Sequence, residues 1–215
     1  MIHPRATARP PFVLYSKEID KMAYDFRSAR FWAWEIIAAA LPEGGLAVDA
    51  TLGNGHDALS LAKQVGTAGR VIGFDVQAAA IESSRARLAA EGLLDRCELI
   101  LDGHQHMKKY LPAESADVVL FNLGWLPGAA HGVTTRTETT LQAVNAALDV
   151  LKFGGVMTIC VYPGHEEGAC EREALLAWAQ RLDETRYDTM LRCYLNQSKN
   201  PPLMIAVKKN LRRKR

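Results

Sequence analysis

Leu46-Ala47-Val48-Asp49-Ala50-Thr51-Leu52-Gly53-Asn54-Gly55-His56-Asp57 is the stretch whose reading decides the fold. Its first residues, Leu46–Ala50, read as a short β-strand, and a helical pattern runs from Asp57 to Val65. A loop with two glycines therefore joins a strand to a helix. Gly53 and Gly55 allow a tight turn and close backbone approach to a ligand. The helix behind them starts with free N–H groups suited to an anion.

Outward from this loop, short β-rich runs alternate with helical stretches, the pattern of a parallel sheet covered by helices. Strands are expected at Leu46–Ala50, Arg70–Asp75, Cys97–Leu101, Asp117–Asn122, Val156–Tyr162, Tyr187–Leu195 and Leu203–Lys208. Helices are expected near Ser16–Leu41 (broken), Asp57–Val65, Gln77–Glu91, Thr137–Leu151 and Glu171–Arg181. The turn-rich link Asn196-Gln197-Ser198-Lys199-Asn200-Pro201-Pro202 makes the last two strands an antiparallel hairpin. The expected fold is thus α/β and Rossmann-like, with a seven-stranded, mostly parallel sheet ending in that hairpin. A nicotinamide-binding domain would instead add another βαβ unit. Residues 1–45 form a helical lead-in, 46–208 the α/β domain and 209–215 a basic tail.

The strand ends carry polar corners. Asp75 closes the second strand, where an acidic residue can accept both hydroxyls of a ribose; it can equally cap the helix starting near Gln77. Asp102-Gly103-His104 closes the third strand, near where an adenine would lie. The fourth ends in Phe121-Asn122-Leu123-Gly124-Trp125-Leu126-Pro127-Gly128, beside the first strand at the switch-point crevice. A carboxamide and free carbonyls there can hold an amine. The fifth delivers Tyr162-Pro163-Gly164-His165 to the same rim. The six histidines lack thiolate or carboxylate partners at metal-ligand spacing, so no metal is expected.

A chain of 215 residues with 48% hydrophobic and 23% charged composition fits one soluble domain. No apolar run is long enough to span a bilayer, and Met1-Ile2-His3-Pro4-Arg5 does not open a signal peptide, so cytoplasmic residence is expected. Cys97, Cys160, Cys170 and Cys193 are scattered, as reduced thiols are. The net charge of +2 gives no overwhelming pull on nucleic acid, yet the chain ends Lys208-Lys209-Asn210-Leu211-Arg212-Arg213-Lys214-Arg215.

Taken together, Asp49–Asp57, Phe74-Asp75-Val76-Gln77, Phe121–Gly128, Tyr162–His165 and Asn200-Pro201-Pro202 resemble the bacterial tRNA 5-aminomethyl-2-thiouridine methyltransferases, many of which long carried an rRNA-methylase label. The similarity runs from about Tyr15 to Lys208. It implies a class I methyltransferase that uses S-adenosylmethionine to methylate the aminomethyl group of a wobble 2-thiouridine, with the tRNA anticodon stem-loop as partner. Carried over by motif, Asp49, Gly53, Asn54, Gly55, His56, Asp57, Asp75, Gln77, Gly103 and His104 would form the cofactor site. Asn122, Tyr162 and His165 would be catalytic, and Leu123, Gly124, Trp125 and His131 would meet the acceptor. Methyltransferase loops usually carry a glycine where Thr51 stands; departures from the family are Gly128-Ala129-Ala130 before His131, Trp125 for the usual Tyr, and a longer lead-in over Tyr24–Gly45.

Three other readings stay open on sequence: a methyltransferase of rRNA or a small amine, a nicotinamide-dependent oxidoreductase, and a non-catalytic RNA-binding protein. The aromatic-rich Phe26–Trp34 segment fits either a homodimer face or a helix packed on its own core. Lys108, Lys109, Arg136, Trp125 and the basic tail are the candidate RNA contacts.

Overall fold

Ser28 starts the first described helix by accepting a hydrogen bond from Phe31 N at 3.3 Å, an N-cap. That helix, α1 (Ala29–Ala40), buries Ala29, Ala33 and Ile37, one stripe at helical spacing. The computed structural model describes residues 28–124, 135–164, 166–197 and 200–211. The chain continues through β1 (Leu46–Asp49), α2 (His56–Val65), β2 (Arg70–Asp75), α3 (Ala78–Ala90), β3 (Cys97–Leu101) and β4 (Ala116–Leu123). It ends with α4 (Thr137–Val150), β5 (Leu151–Val161), α5 (Glu166–Gln180), β6 (Tyr187–Arg192) and β7 (Leu203–Lys209).

The seven strands lie in the order β3-β2-β1-β4-β5-β7-β6. Every pairing is parallel except those of β7 with β5 and β6, so the terminal antiparallel hairpin is present as expected. Side chains alternate along each strand and build two cores. On β4, Val119 and Phe121 face the cluster covered by α4 and α5, while Val118 and Leu120 face that covered by α1, α2 and α3. β1 pairs with β2 on one side and β4 on the other, so chain order reverses there and a crevice opens at its carboxyl end.

Most boundaries shift by a residue from the sequence reading, and four differences bear on the packing. β5 begins at Leu151, not Val156, because Leu151 pairs with Ala116 across a register shift. Gly154, with φ at 84°, makes this strand start look like a turn in sequence. α5 begins at Glu166, not Glu171: Glu167 accepts from Thr137 N at 2.7 Å, and buried Glu171 accepts from Thr140 Oγ1 at 2.6 Å and Thr135 Oγ1 at 2.9 Å. β6 stops at Arg192, short of Leu195. Lys209, read as the first tail residue, instead ends β7; its buried ammonium donates to the Leu148 and Leu151 carbonyls at 2.9 and 2.8 Å, satisfying the end of α4.

Of the expected Ser16–Leu41 helix, only residues from 28 onward are described. Among the described residues no helix is long and apolar enough to cross a membrane, and no cluster of ligating side chains could hold a metal ion. All four cysteines are free; Cys160 is buried and Cys170 exposed.

Candidate active site

The loop after β1 is held in shape from β2 and α3. Gly53 and Gly55 have φ of 53° and 73°, in the left-handed region. At Gly55 a Cβ would lie 2.7 Å from Ser84 Oγ and 2.9 Å from Ser84 Cα, so only glycine fits. Ser84 Oγ donates to Gly53 O at 2.9 Å, and Arg87 Nε donates to Asn54 O at 2.7 Å. From β2, Asp75 Oδ2 accepts from Gly53 N and Oδ1 from Gln77 N, both at 2.9 Å. Asp75 therefore closes the loop and starts the next turn, and each oxygen keeps a lone pair for a ligand. Val76 and Leu101, 61% and 57% exposed, form an apolar lip beside it at the ends of β2 and β3.

Asp49 is the unmet group of this half. It is wholly buried; Oδ1 accepts from Thr51 N at 3.2 Å, and Oδ2 has no hydrogen-bond partner among the described residues. Burial, reinforced by the negative charge of Asp57, pushes its carboxyl up to about 8. An ammonium would supply the missing charge and donor.

At the end of β3 the polar groups are mutually engaged. Asp102 accepts from Gly103 N at 2.7 Å and Tyr110 Oη at 2.9 Å, and lies 2.8 Å from His106 Nδ1. The His106 bond, opposed by slight burial and helped by the other two, holds the Asp102 carboxyl at about 2. Through Nδ1, His104 bonds Ala50 O at 3.0 Å, and its ring sits edge-on to Phe121 with centroids 5.6 Å apart. Burial lowers the His104 pKa against the opposing hydrogen bond to Ala50. His56 is exposed at the start of α2, its pKa lowered by partial burial and by Arg87 and Arg30.

The other half of the site gathers around Asp57. Oδ1 accepts from Arg30 Nη2 at 2.7 Å and from Trp34 Nε1 at 2.7 Å; Oδ2 accepts from Asn122 Nδ2 at 2.8 Å. Assigned from the motif to the cofactor, Asp57 is thus already occupied by three protein donors. Asn122 is fixed by its main chain as well, its N–H donating to Thr51 Oγ1 at 2.7 Å. Gly124, with φ at 144°, packs where a Cβ would lie 3.4 Å from Tyr162 Cβ. Tyr162 N donates to Leu123 O at 3.3 Å, and burial raises the Tyr162 phenol pKa.

The structure thus brings Asn122, Gly124 and Tyr162 together, beside but separate from the Asp49–Asp75 cradle. Leu123 is a correction: strand alternation sends its side chain into the core, leaving only its main chain for an acceptor. Trp125, His131 and His165 lie outside the described residues. Sequence reasoning missed Arg30, Trp34, Ser84 and Arg87. The spacing of Arg30 and Trp34 on one helix face was the available signal for that pair.

Comparison with known proteins extends the geometry. Residues 71–208 match the family model described as "Putative rRNA methylase". An Arabidopsis thaliana chloroplastic tRNA (mnm(5)s(2)U34)-methyltransferase is 35% identical over 82% of this chain; the chain spans 66% of that relative's length. A crystal structure from Clostridium thermocellum, of the same description as the family, superposes with a TM-score of 0.83 at 37% identity, covering 86% of this chain and 99% of that one. A Streptococcus mutans "putative methyltransferase" solved in complex with SAH superposes with a TM-score of 0.78 at 33% identity, over the same shares.

Proposed function

The chain belongs to the family described as "Putative rRNA methylase", and from that premise we propose that it is an S-adenosylmethionine-dependent N-methyltransferase acting on the aminomethyl group of 5-aminomethyl-2-thiouridine at the tRNA wobble position. The observation that carries it is a buried, half-partnered carboxyl set beside an anchored carboxamide at the β1–β4 crevice. Asp49 Oδ2 is buried without a hydrogen-bond partner among the described residues, and the half-buried Asn122 carboxamide is held through Nδ2 by Asp57 Oδ2 at 2.8 Å. The name of the Arabidopsis relative and the SAH held by the Streptococcus mutans protein support the same donor and acceptor.

The residues present fit the donor. Asp49 would meet its ammonium, Asp75 its ribose hydroxyls, the Gly53–Gly55 loop its carboxylate, and Val76 and Leu101 the faces of its adenine. When bound, S-adenosylmethionine supplies a methyl group on a sulfonium, which a nucleophile displaces in line. For such a step alignment dominates: fixed near-attack geometry is worth roughly 7–11 kcal/mol. The acceptor must arrive as the neutral amine. With a lysine-like pKa near ~10.4, neutrality at pH 7 costs about 4–5 kcal/mol. Partial desolvation against the partly exposed Tyr162 ring lowers that cost. Asn122 holds an amine N–H, and the proton released after transfer passes to water.

The test is transfer of labelled methyl from S-adenosylmethionine to total tRNA and, separately, to ribosomal RNA, both from cells lacking the protein, followed by nucleoside analysis. Label on the 5-aminomethyl-2-thiouridine of tRNA is the expected result. Label on ribosomal RNA alone would favour the second reading, for which the family's own description speaks.

A further inference from the structure

Asp57 is more than a strut between α1 and α2, because its two oxygens divide their labour. Arg30 and Trp34 converge on Oδ1, from Nη2 and Nε1 at 2.7 Å each, while Oδ2 receives Asn122 Nδ2 at 2.8 Å; the one shared contact is Arg30 Nε, at 3.0 Å from Oδ1 and 3.3 Å from Oδ2. Anchoring α1 needs only the Oδ1 side. On the Oδ2 side Asn122 is the close partner at 2.8 Å, and Arg30 Nε reaches that oxygen only as its longer contact at 3.3 Å.

Asn122 has little freedom left. Its main chain lies in β4, paired with Cys160 of β5, and its N–H is tied to Thr51 Oγ1. What remains is the twofold choice of which end of the amide faces Asp57. A carboxylate only accepts, so the NH2 must turn toward it and the carbonyl oxygen must turn away. We infer that Asp57 is a positioning residue: it locks the Asn122 carboxamide with its oxygen presented to the acceptor, making the site select a nucleophile that carries an N–H. This inference rests on the methyl transfer proposed above.

The chemistry closes without a further reagent. A neutral primary amine gives one N–H to the Asn122 oxygen and keeps its lone pair for the methyl carbon. The N–C bond forms as the C–S bond breaks, and that electron pair leaves with sulfur. The resulting secondary ammonium then loses a proton to water. With the amide reversed, an NH2 would confront the amine and compete for the lone pair that must attack.

The division of labour yields a sharp experiment. In Asp57→Asn, Oδ1 can still accept from Arg30 and Trp34, but an NH2 now opposes the NH2 of Asn122, and the Asn122 amide reverses. Turnover on tRNA carrying 5-aminomethyl-2-thiouridine should fall about 30-fold, with SAH affinity held within about threefold. Because the loss acts through Asn122, adding Asp57→Asn to Asn122→Ala should cost less than about threefold more. The exchange Asp57→Asn with Asn122→Asp restores a donor facing an acceptor and should recover most of the lost rate. Additive losses in the cycle, a matching loss of SAH binding, or no recovery in the exchange would each overturn the inference. A wild-type protein that binds SAH but leaves this tRNA unlabelled would overturn it together with the proposed function.

Discussion

Asp49 and Asp57 stand at the two ends of one loop, the first closing β1 and the second in the first turn of α2, and both are nearly removed from water. Asp57 takes hydrogen bonds from Arg30, Trp34 and Asn122, so its charge and geometry are met by the protein itself. Asp49 has one backbone donor on Oδ1 and none on Oδ2 among the described residues. A lone buried carboxylate is costly, and its raised pKa expresses that cost. On the proposed acceptor side, Asp57 and Asn122 are therefore held by protein contacts, whereas on the proposed donor side Asp49 holds a demand that a cationic ligand would meet. Orientation is needed most where the nucleophile sits, and binding energy is most useful where the cofactor sits.

The largest way to break this contrast is at the loop itself. Gly55→Ala forces a Cβ against Ser84 with the backbone still left-handed; strain and overpacking together should cost about 4 kcal/mol and abolish SAH binding. Chemical denaturation and calorimetry would show it, and a stable variant that still binds SAH would refute the tight fit.

Asp49→Asn sharpens the contrast through pH. The folded carboxyl titrates near 8, above its ordinary 3.8, so the native state keeps a proton that the unfolded chain has lost. Wild-type stability should then fall as pH rises from about 4 to about 8 and level off above that. The variant lacks this slope and should be the more stable ligand-free protein at pH 8, by about 2–3 kcal/mol, with no advantage near pH 4. Urea unfolding across that window checks both sign and range. The same variant should bind SAH more weakly than wild type.

The smallest effect is expected on the saturated side. Trp34→Phe removes one donor from Asp57 but leaves Arg30 and Asn122 in place, so stability should drop only about 1 kcal/mol and turnover about threefold. A melting curve and an initial-rate assay suffice. A collapse of activity would mean that Trp34 itself holds the acceptor.

The loop and strand-end corners of the proposed donor side are readable in the sequence because they sit in short motifs. Glycines and an acidic residue at fixed offsets from strand ends can be read without knowing what packs on them. The acceptor side was only half legible. Asn122 and Tyr162 stand out at strand ends, but Asp57 was assigned by its motif to the cofactor. The protein donors that the structure gives it, Arg30 and Trp34, lie 27 and 23 residues earlier, and only the packing of α1 brings them over. Leu123 was misplaced because strand alternation, unlike motif membership, decides which neighbour of Asn122 faces the crevice. The hairpin and strand order followed from patterning, while the early start of β5 hid behind Lys152-Phe153-Gly154-Gly155, which reads locally as a turn.

The separation of donor and acceptor halves is tested most directly by measuring SAH affinity and methyl-transfer turnover side by side for Asn122→Ala and wild type. The Asn122 side chain bonds only Asp57 among the described residues and is proposed to serve the acceptor half. Its loss should leave the SAH dissociation constant within about twofold while lowering turnover more than about tenfold. Equal losses in both, or unchanged turnover, would contradict the account.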